Sequence, residues 1–325
     1  MEQLYGAMDI HKETLRGIVR HGDGTIEREK TIPYTREAIG KFFEGIPSPS
    51  LTIAIEACGL WRGVYRILKE MGYEVALANP LKVRRIADVR STDKVDARLL
   101  SELLSKNFLP RVYIPDEEIL MMRDLTRHRA RLVRQQTSLK SRIKAFLAMD
   151  GNIFRITWNK KDLEHLKTID PKIANLVHIL EAIEGEIKPV KKEIDMIART
   201  NYRAGLLQTV PGIGSFGSLM ILGEIGDIRR FKRPKSLVSY AGLCRGIKQS
   251  GNTSHSVRIK ACNKWLKWIM YQCSGRAIMK DGRYTGHFSR VKRRNDYKTA
   301  RRSIARKMLT DVWHMLTKEE PFRSS

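Results

Sequence analysis

Four carboxylates stand where carboxylates need a reason. Asp9 lies inside an apolar stretch, LYGAMDI, and strand alternation puts it on one face with Tyr5 and Ala7. Glu56 lies inside LTIAIEA, the most apolar strand candidate of the chain, on the face of Ala54 and Cys58. A carboxylate in such a setting is costly unless it is paired or bound to a cation. Asp93 and Asp96, in STDKVDARLLSELL, are three apart at a helix start, so both face one way and repel each other unless a cation sits between them. Taken singly, each has an ordinary explanation: acids favoured at a helix N-terminus, or an ion pair in a very basic chain. Together, on a first strand, a central strand and a later helix, they match the layout of two-metal nucleases. Hard carboxylate oxygens suit Mg²⁺, and two ions about 3.5 to 4 Å apart clamp an in-line phosphoryl displacement. Asp88 and Glu102 are nearby spares of lower rank.

The elements that must position these acids are legible in outline. Residues 4–10, 15–20 and 25–32 read as short strands, the last two joined by the turn His21-Gly22-Asp23-Gly24. A helix over 36–43, a strand over 51–57, a helix over 61–71 and a strand over 74–78 follow. Ser91, Thr92 or Asp93 can cap a helix that runs to about Ser105. A three-strand meander followed by alternating helices and strands suits a ribonuclease-H-like sheet, and a doubly wound sheet fits nearly as well.

Pro110 and Pro115 mark a boundary, after which the periodicity turns helical. Leu125, Leu132, Leu139 and Phe146 recur every seven residues, with Met122, Arg129, Gln136 and Ile143 in the other seam position. After Gly151 a second seam runs Ile173, Leu176, Leu180, Ile183, Ile187, Val190, Ile194, Ile197. Such seams demand a partner helix without saying whose it is: a hairpin within the chain and a coiled coil between chains both satisfy them. Pro189 should kink or split the second helix. The fold class is therefore α/β plus all-α. Residues 1–112 form the α/β domain, 113–204 a helical coiled-coil region, and 205–325 a helical C-terminal domain.

That last domain opens on Val210-Pro211-Gly212-Ile213-Gly214, which has the look of a helix-hairpin-helix turn. There the backbone at Gly212 and Gly214 would meet a DNA phosphate; a glycine-rich cap on a core helix is the plainer reading. The segment 246–264, GIKQSGNTSHSVRIKACNK, is small, polar and basic, and reads as a loop able to admit a phosphate backbone. Its serines, Ser250 among them, are by themselves ordinary loop residues. Between 283 and 307 lie Arg290, Lys292, Arg293, Arg294, Lys298, Arg301, Arg302, Arg306 and Lys307, with Tyr284, Phe288 and Tyr297 interleaved. So one-sided a run reads as an electrostatic track for a nucleic-acid backbone.

Composition agrees. Lys plus Arg is 61 against 35 for Asp plus Glu in 325 residues, a net charge of +26, which argues against most small-metabolite enzymes and for a polyanion partner. No apolar run approaches the roughly 18 to 20 residues of a membrane span, and the start, MEQLYGAMDIHKE, has no signal-peptide pattern. Cys58, Cys244, Cys262 and Cys273 lie far apart, so structural zinc is not expected and reduced thiols in a cytoplasm fit best.

The segments AMDIHK with Asp9, IEACG with Glu56 and STDKVDA with Asp93 and Asp96, then TVPGIG, YAGLCRG, QSG with Ser250, IKACNKWLKW and the closing KEEPF, resemble the insertion-sequence 110 family of transposases, whose relatives include the 1111 branch. The resemblance runs through nearly the whole chain. It implies a RuvC-like domain in which the four acids hold Mg²⁺, and a C-terminal transposase domain in which Ser250 attacks DNA. It implies a DNA recombinase that excises and inserts its own element, with a structured non-coding RNA pairing to donor and target DNA. It also implies a homo-oligomer, dimer or tetramer, joined through the helical region, in the cytoplasm of a bacterium or archaeon, at the nucleoid. Arg245, Lys248, Arg258 and Lys260, flanking Ser250, would then hold the phosphate. Two departures are Cys262, where relatives usually carry glycine, and Cys58, where many have threonine. A RuvC-like nuclease or junction resolvase that only hydrolyses, and a non-catalytic nucleic-acid-binding protein, are the rivals; joined product, cut product or bound DNA alone separates the three.

Overall fold

A five-stranded sheet organises the first of two units into which the computed structural model divides, Met1–Ile114 and Pro115–Ser325. The residues described are 3–86, 97–151, 155–244, 246–250, 253–257 and 262–323. In the first unit β1 (Leu4–Ile10), β2 (Thr14–Arg20) and β3 (Ile26–Pro33) form an antiparallel meander. Helix α1 (Arg36–Phe43), capped by the Thr35 hydroxyl, leads to β4 (Leu51–Glu56); α2 (Trp61–Glu70) leads to β5 (Glu74–Ala78). Strand β4 lies parallel to β1 and β5 parallel to β4, giving the order β3-β2-β1-β4-β5. Helices α3 (Pro80–Ile86) and α4 (Ala97–Ser105) follow. The antiparallel first half rules out the doubly wound alternative, whose sheet is mostly parallel, and is compatible with a ribonuclease-H-like domain.

Strand alternation decides what each face of the sheet holds. Leu4, Met8, Ile10, Ile53 and Ile55 pack with Ile39, Phe42 and Phe43 of α1 and Val64 and Leu68 of α2. The opposite face is built from Ala7, Ile18, Ala54, Ala76 and Ala78, and takes Val83 of α3 and Ala97, Leu100 and Leu104 of α4. The row of alanines keeps this second face shallow, and Asp9 and Glu56 continue it.

The second unit begins with two long helices. Helix α5 (Glu117–Met149), 33 residues and so about 50 Å long, is capped by the Asp116 carboxylate accepting from the Ile119 N–H. After α6 (Lys160–Ile169) comes α7 (Pro171–Thr200), capped by Asp170 with Pro171 in its first turn. The two heptad seams meet each other within the chain: Leu139, Ile143 and Leu147 of α5 share a core with Ile173, Leu176 and Leu180 of α7. Farther along, Met122 and Leu125 join Ile194 and Ile197, so the helices run antiparallel. Gln136 and Lys140 both reach Glu184 across the seam, at 2.8 and 2.9 Å.

Of the kink or split expected at Pro189, the split does not occur: α7 continues through it. Pro189 and Gly185 are both exposed, so the Gly185 carbonyl, which loses its intrahelical donor, faces water, and space stands open beside Gly185.

The rest of the unit packs α8 (Tyr202–Gln208), α9 (Ser215–Ile225) and α10 (Pro234–Tyr240) against α11 (Lys264–Lys280), α12 (Gly282–Lys292) and α13 (Tyr297–Lys318) around one apolar core. The closing segment is fastened to it: Phe322 stacks on Tyr284 at 6.0 Å, with the Arg283 guanidinium 4.4 Å from the Phe322 ring. Between α10 and α11 the expected loop is instead a hairpin, β6 (Gly246–Ser250) paired antiparallel with β7 (Thr253–Val257). Its register sets Ser250 opposite Thr253; Gly251 and Asn252 lie outside the described residues. Among the described residues no helix is long and apolar enough to cross a membrane.

Candidate functional site

The parallel register of β1 and β4 runs Ala7 with Ala54 and Met8 with Ile55. Asp9 and Glu56 are the next residues on their strands, so both carboxylates leave the same shallow face at the C-terminal ends of adjacent parallel strands. Glu56 lies opposite Ala78 of β5. Ala7, Ala54 and Ala78, the small residues beside the two acids on this face, leave room above the sheet. The Asp9 side chain is 14% exposed, and its Oδ2 lies 3.1 Å from His11 Nε2. Burial, and secondarily the Asp9 charge, pushes the Glu56 carboxyl above the ordinary carboxylate range, while Arg84 of α3 pulls the other way. Among the described residues no hydrogen bond or ion pair is formed by the Glu56 carboxylate.

Helix α4 approaches this end of the sheet with its first turn. Arg98 donates to Glu29 of β3 at 2.6 Å, and Arg16 donates to the same carboxylate at 2.8 Å. Arg16 is the β2 residue opposite Asp9. Arg98 and then Arg16 hold the Glu29 carboxyl down at about 2. The far end of α4 lies toward the other end of β1: Glu102 feels Arg20, which pairs with Tyr5, and forms its own ion pair with Lys106 at 2.6 Å. Glu102 is thus placed away from Asp9 and Glu56. Asp93 and Asp96, with Asp88, lie outside the described residues. Among those that are described, no cluster of three or more His, Cys, Asp or Glu is suited to a metal. What is in place is one pair of hard oxygen donors, unequal in compensation, on a face of alanines. The pair fits a divalent cation, because Glu56 ionises there at a cost that a cation would relieve.

In the second unit Lys248 and Ser250 are placed on β6, opposite His255 and Thr253 of β7. Arg245, Arg258 and Lys260 lie outside the described residues. The two roots of this hairpin are joined: the Asn263 N–H donates to the Tyr240 carbonyl at 2.8 Å. Beneath them sits Glu224 of α9, fully buried and missed by the sequence reading. Arg127 of α5 donates to it twice, at 2.7 and 2.8 Å, and Asn263 Nδ2 donates at 2.8 Å. The signal was present, since Glu224 is a lone acid in the apolar run SLMILGEI, the same argument that singles out Glu56.

The two glycines of the VPGIG turn do different work. Gly212 has φ of +93°, and a Cβ there would come within 2.7 Å of the Cys273 carbonyl and the Ala277 nitrogen of α11. It serves close packing. Gly214, the N-cap of α9, has open space where its Cβ would be. The basic run also divides. Arg301 donates to the Tyr271 carbonyl at 2.6 Å and Arg302 to the Tyr271 hydroxyl at 3.1 Å, both fastening α13 to α11. Arg293 and Arg294, just past α12, are exposed, as are Arg290, Lys292 and Lys298.

Comparison with known proteins finds two family models. Residues 7–149 match a transposase model of the DEDD type of IS110 elements. Residues 204–289 match the model described as Transposase IS116/IS110/IS902 family. A putative transposase, y4qE, of Sinorhizobium fredii is 27% identical over 221 residues, which is 65% of this chain and 55% of that protein. The transposase for insertion sequence element IS1111A of Coxiella burnetii is 25% identical, over 83% of this chain and 79% of its own. The pilin gene-inverting protein of Moraxella lacunata is 28% identical, over 84% and 82%. This chain thus spans about half the length of the first of these relatives and about four-fifths of the other two.

Proposed function

We propose that this protein, in which a DEDD-type transposase match and an IS116/IS110/IS902-family match lie in one chain, is an IS110-family transposase that cleaves and rejoins DNA strands through two centres, one of carboxylates and one at Ser250. The observation that carries the reading is the Glu56–Asp9 pair: two acids on adjacent strand ends, one of them half-buried, raised in pKa and lacking a hydrogen-bonded counterion among the described residues. Asp96 immediately precedes Ala97, and the first turn of α4 reaches Glu29 beside Arg16, the neighbour of Asp9. Asp96 and Asp93, both outside the described residues, are the remaining donors in this reading, on the resemblance of the STDKVDA segment to the family's four-acid set. Mg²⁺ held there, as two ions, would polarise the scissile phosphate.

The chain's own groups do the rest. The Ser250 Oγ attacks phosphorus; an Oγ–P bond forms, the bond from phosphorus to one deoxyribose oxygen breaks, and the hydroxyl proton ends on that oxygen. A phosphoserine ester conserves the bond energy, so the strand is rejoined by reversal onto a new sugar hydroxyl. Lys248, with Arg245, Arg258 and Lys260, would stabilise the charge on the phosphate as it is attacked. The net charge of +26 suits donor and target DNA and an element-encoded guide RNA together, and the helical region would join subunits in a homo-oligomer by faces other than the two seams, which meet each other within the chain.

The test is strand transfer between donor and target DNA in Mg²⁺, with and without the candidate RNA. Wild type should give joined product and, on a denaturing gel, protein attached to DNA. Ser250→Ala should give neither, whereas Ser254→Ala and Ser256→Ala should give both. Cut product without joining would make the chain a nuclease, and an adduct at another residue would remove Ser250 from the mechanism.

A further inference from the structure

An open cavity of about 510 Å³ lies between α5, α7, α9 and α11, all within the second unit. Its lining includes Arg129, Lys191 and Arg276, against one acid, Asp195, together with Gly214 and Phe216 at the start of α9. Three cations thus come from three different helices. Arg129 is, with Gln136, one of two polar residues in the heptad seam of α5, where apolar side chains would be expected; Gln136 is satisfied by Glu184 across the seam. Its guanidinium lies over the Phe216 ring at 4.4 Å. Its Nε is fully buried, and no hydrogen-bond partner for it is found among the described residues. Burial disfavours the Arg129 charge, and Asp195 only partly restores it. A buried donor left without an acceptor is costly, so a cation placed here calls for an anion beyond what the described residues supply.

The mouth of the cavity has the donors an anion needs. Helix α9 is 11 residues long, and its N-cap Gly214 offers no side-chain cap to the first-turn N–H groups. Nothing stands within 4 Å of the Gly214 Cβ position, so a ligand can approach that backbone. Lys191 and Arg276 are exposed at the rim.

We infer that this cavity binds one phosphate of a nucleic-acid backbone, with Arg129, Lys191 and Arg276 as its cationic ligands. The inference rests on the reading of the chain as a nucleic-acid enzyme and assigns one contact of that substrate. A phosphodiester, with a single negative charge and two free oxygens, matches an excess of two positive charges and several N–H donors. It lies at the opposite end of α9 from Glu224 and the hairpin roots, so it would register the strand on the domain without entering the chemistry.

The experiment measures binding of the full chain to duplex DNA and, separately, to a single-stranded RNA of equal length, by anisotropy across a salt series. Arg129→Gln, Lys191→Gln and Arg276→Gln should each weaken binding several-fold. Each should also make the slope of log K against log salt shallower by about 1. Asp195→Asn should do the reverse and tighten binding, a sign that mere damage to the fold would not give. Whichever nucleic acid shows these changes is the source of the phosphate. Slopes unchanged in Lys191→Gln, Arg276→Gln and Asp195→Asn, all melting like wild type, would overturn the site while leaving the proposed function standing. A wild-type chain that binds neither nucleic acid would overturn both.

Discussion

Glu56 and Glu224 pose the same problem to the fold and receive opposite answers. Each is a lone acid in an apolar element, one on β4 and one on α9. Around Glu224 the chain completes the solution. Arg127 grips both carboxylate oxygens, Asn263 donates a third bond, and Arg123 stands 3.9 Å away. The group is fully buried and fully satisfied, and it ties α5, α9 and the root of the hairpin into one joint. Around Glu56 the described residues leave the solution open. Its neighbour is another carboxylate, Ala54 and Ala78 lie beside it on the sheet, and Arg84 acts on it only through its field. A carboxylate that the chain itself neutralises is architecture; one set beside a second acid in an uncompensated place calls for a cation from outside.

The largest expected effects follow from exchanging the two cases. Glu224→Ala leaves Arg127 and Asn263 facing an empty, buried space. Removing one partner of a buried ion pair costs about 3–5 kcal/mol. For a unit of this size that is a fall in Tm of roughly 10 °C or more, visible by calorimetry, with loss of activity following the loss of fold. Glu56→Gln should do the converse. It removes a disfavoured charge and keeps the shape, so Tm should hold or rise, while strand transfer in Mg²⁺ falls by about 10³-fold, the equivalent of roughly 4 kcal/mol in the barrier. If Glu56→Gln melts early and Glu224→Ala does not, the assignment of the two roles is inverted.

How far this contrast was readable beforehand depends on which signals are local. The strands that carry Asp9 and Glu56 are legible because LYGAMDI and LTIAIE are short, mostly apolar runs of strand length, as strands buried on both faces are. Glu224 obeys the same logic but its role is not local, because its compensation comes from Arg127, 97 residues earlier in the sequence. The hairpin of Ser250 is hidden in the sequence for a different reason. GIKQS and TSHSV carry almost no hydrophobic alternation, and only the dipeptide Gly251-Asn252 between them marks the turn. Helix α12 was hidden in the charge run, since GRYTGHFSRVK holds two glycines. Which arginines of that run are fasteners was equally invisible: Arg301 and Arg302 differ from Arg293 and Arg294 only by what α11 places beside them.

A smaller effect separates Glu56 from Glu29, a second carboxylate of the same sheet. Glu29 is held at about 2, below its ordinary 4.5, so its contribution to stability is present above about pH 4.5 and is lost as pH falls through about 2. Glu56 is raised above 4.5, so the sign reverses. Without divalent cation, its share of the stability grows as pH falls through its raised value, because the fold prefers the protonated form. Carbon-detected NMR titration of the two carboxyls should show them moving apart in this way. Adding Mg²⁺ should lower the Glu56 titration and leave that of Glu29 in place. A Glu56 titration indifferent to Mg²⁺ would remove it from the metal site.

Arg84 gives the finest discrimination. It is the cation whose field opposes the upward shift of Glu56, and it lies exposed on α3. If Arg84 were to Glu56 what Arg127 is to Glu224, then Arg84→Gln would strand a half-buried charge and cost several kcal/mol. The absence of any hydrogen bond between them among the described residues argues for a bystander. Arg84→Gln should therefore change stability by no more than about 0.5 kcal/mol, as exposed substitutions usually do. The Glu56 carboxyl should move further up in the cation-free protein. With one positive charge fewer beside the carboxylates, the Mg²⁺ concentration for half-maximal strand transfer should fall severalfold. A large drop in Tm with no change in Mg²⁺ dependence would mean that Arg84 is the true partner of Glu56 and that the two glutamates solve their problem in the same way.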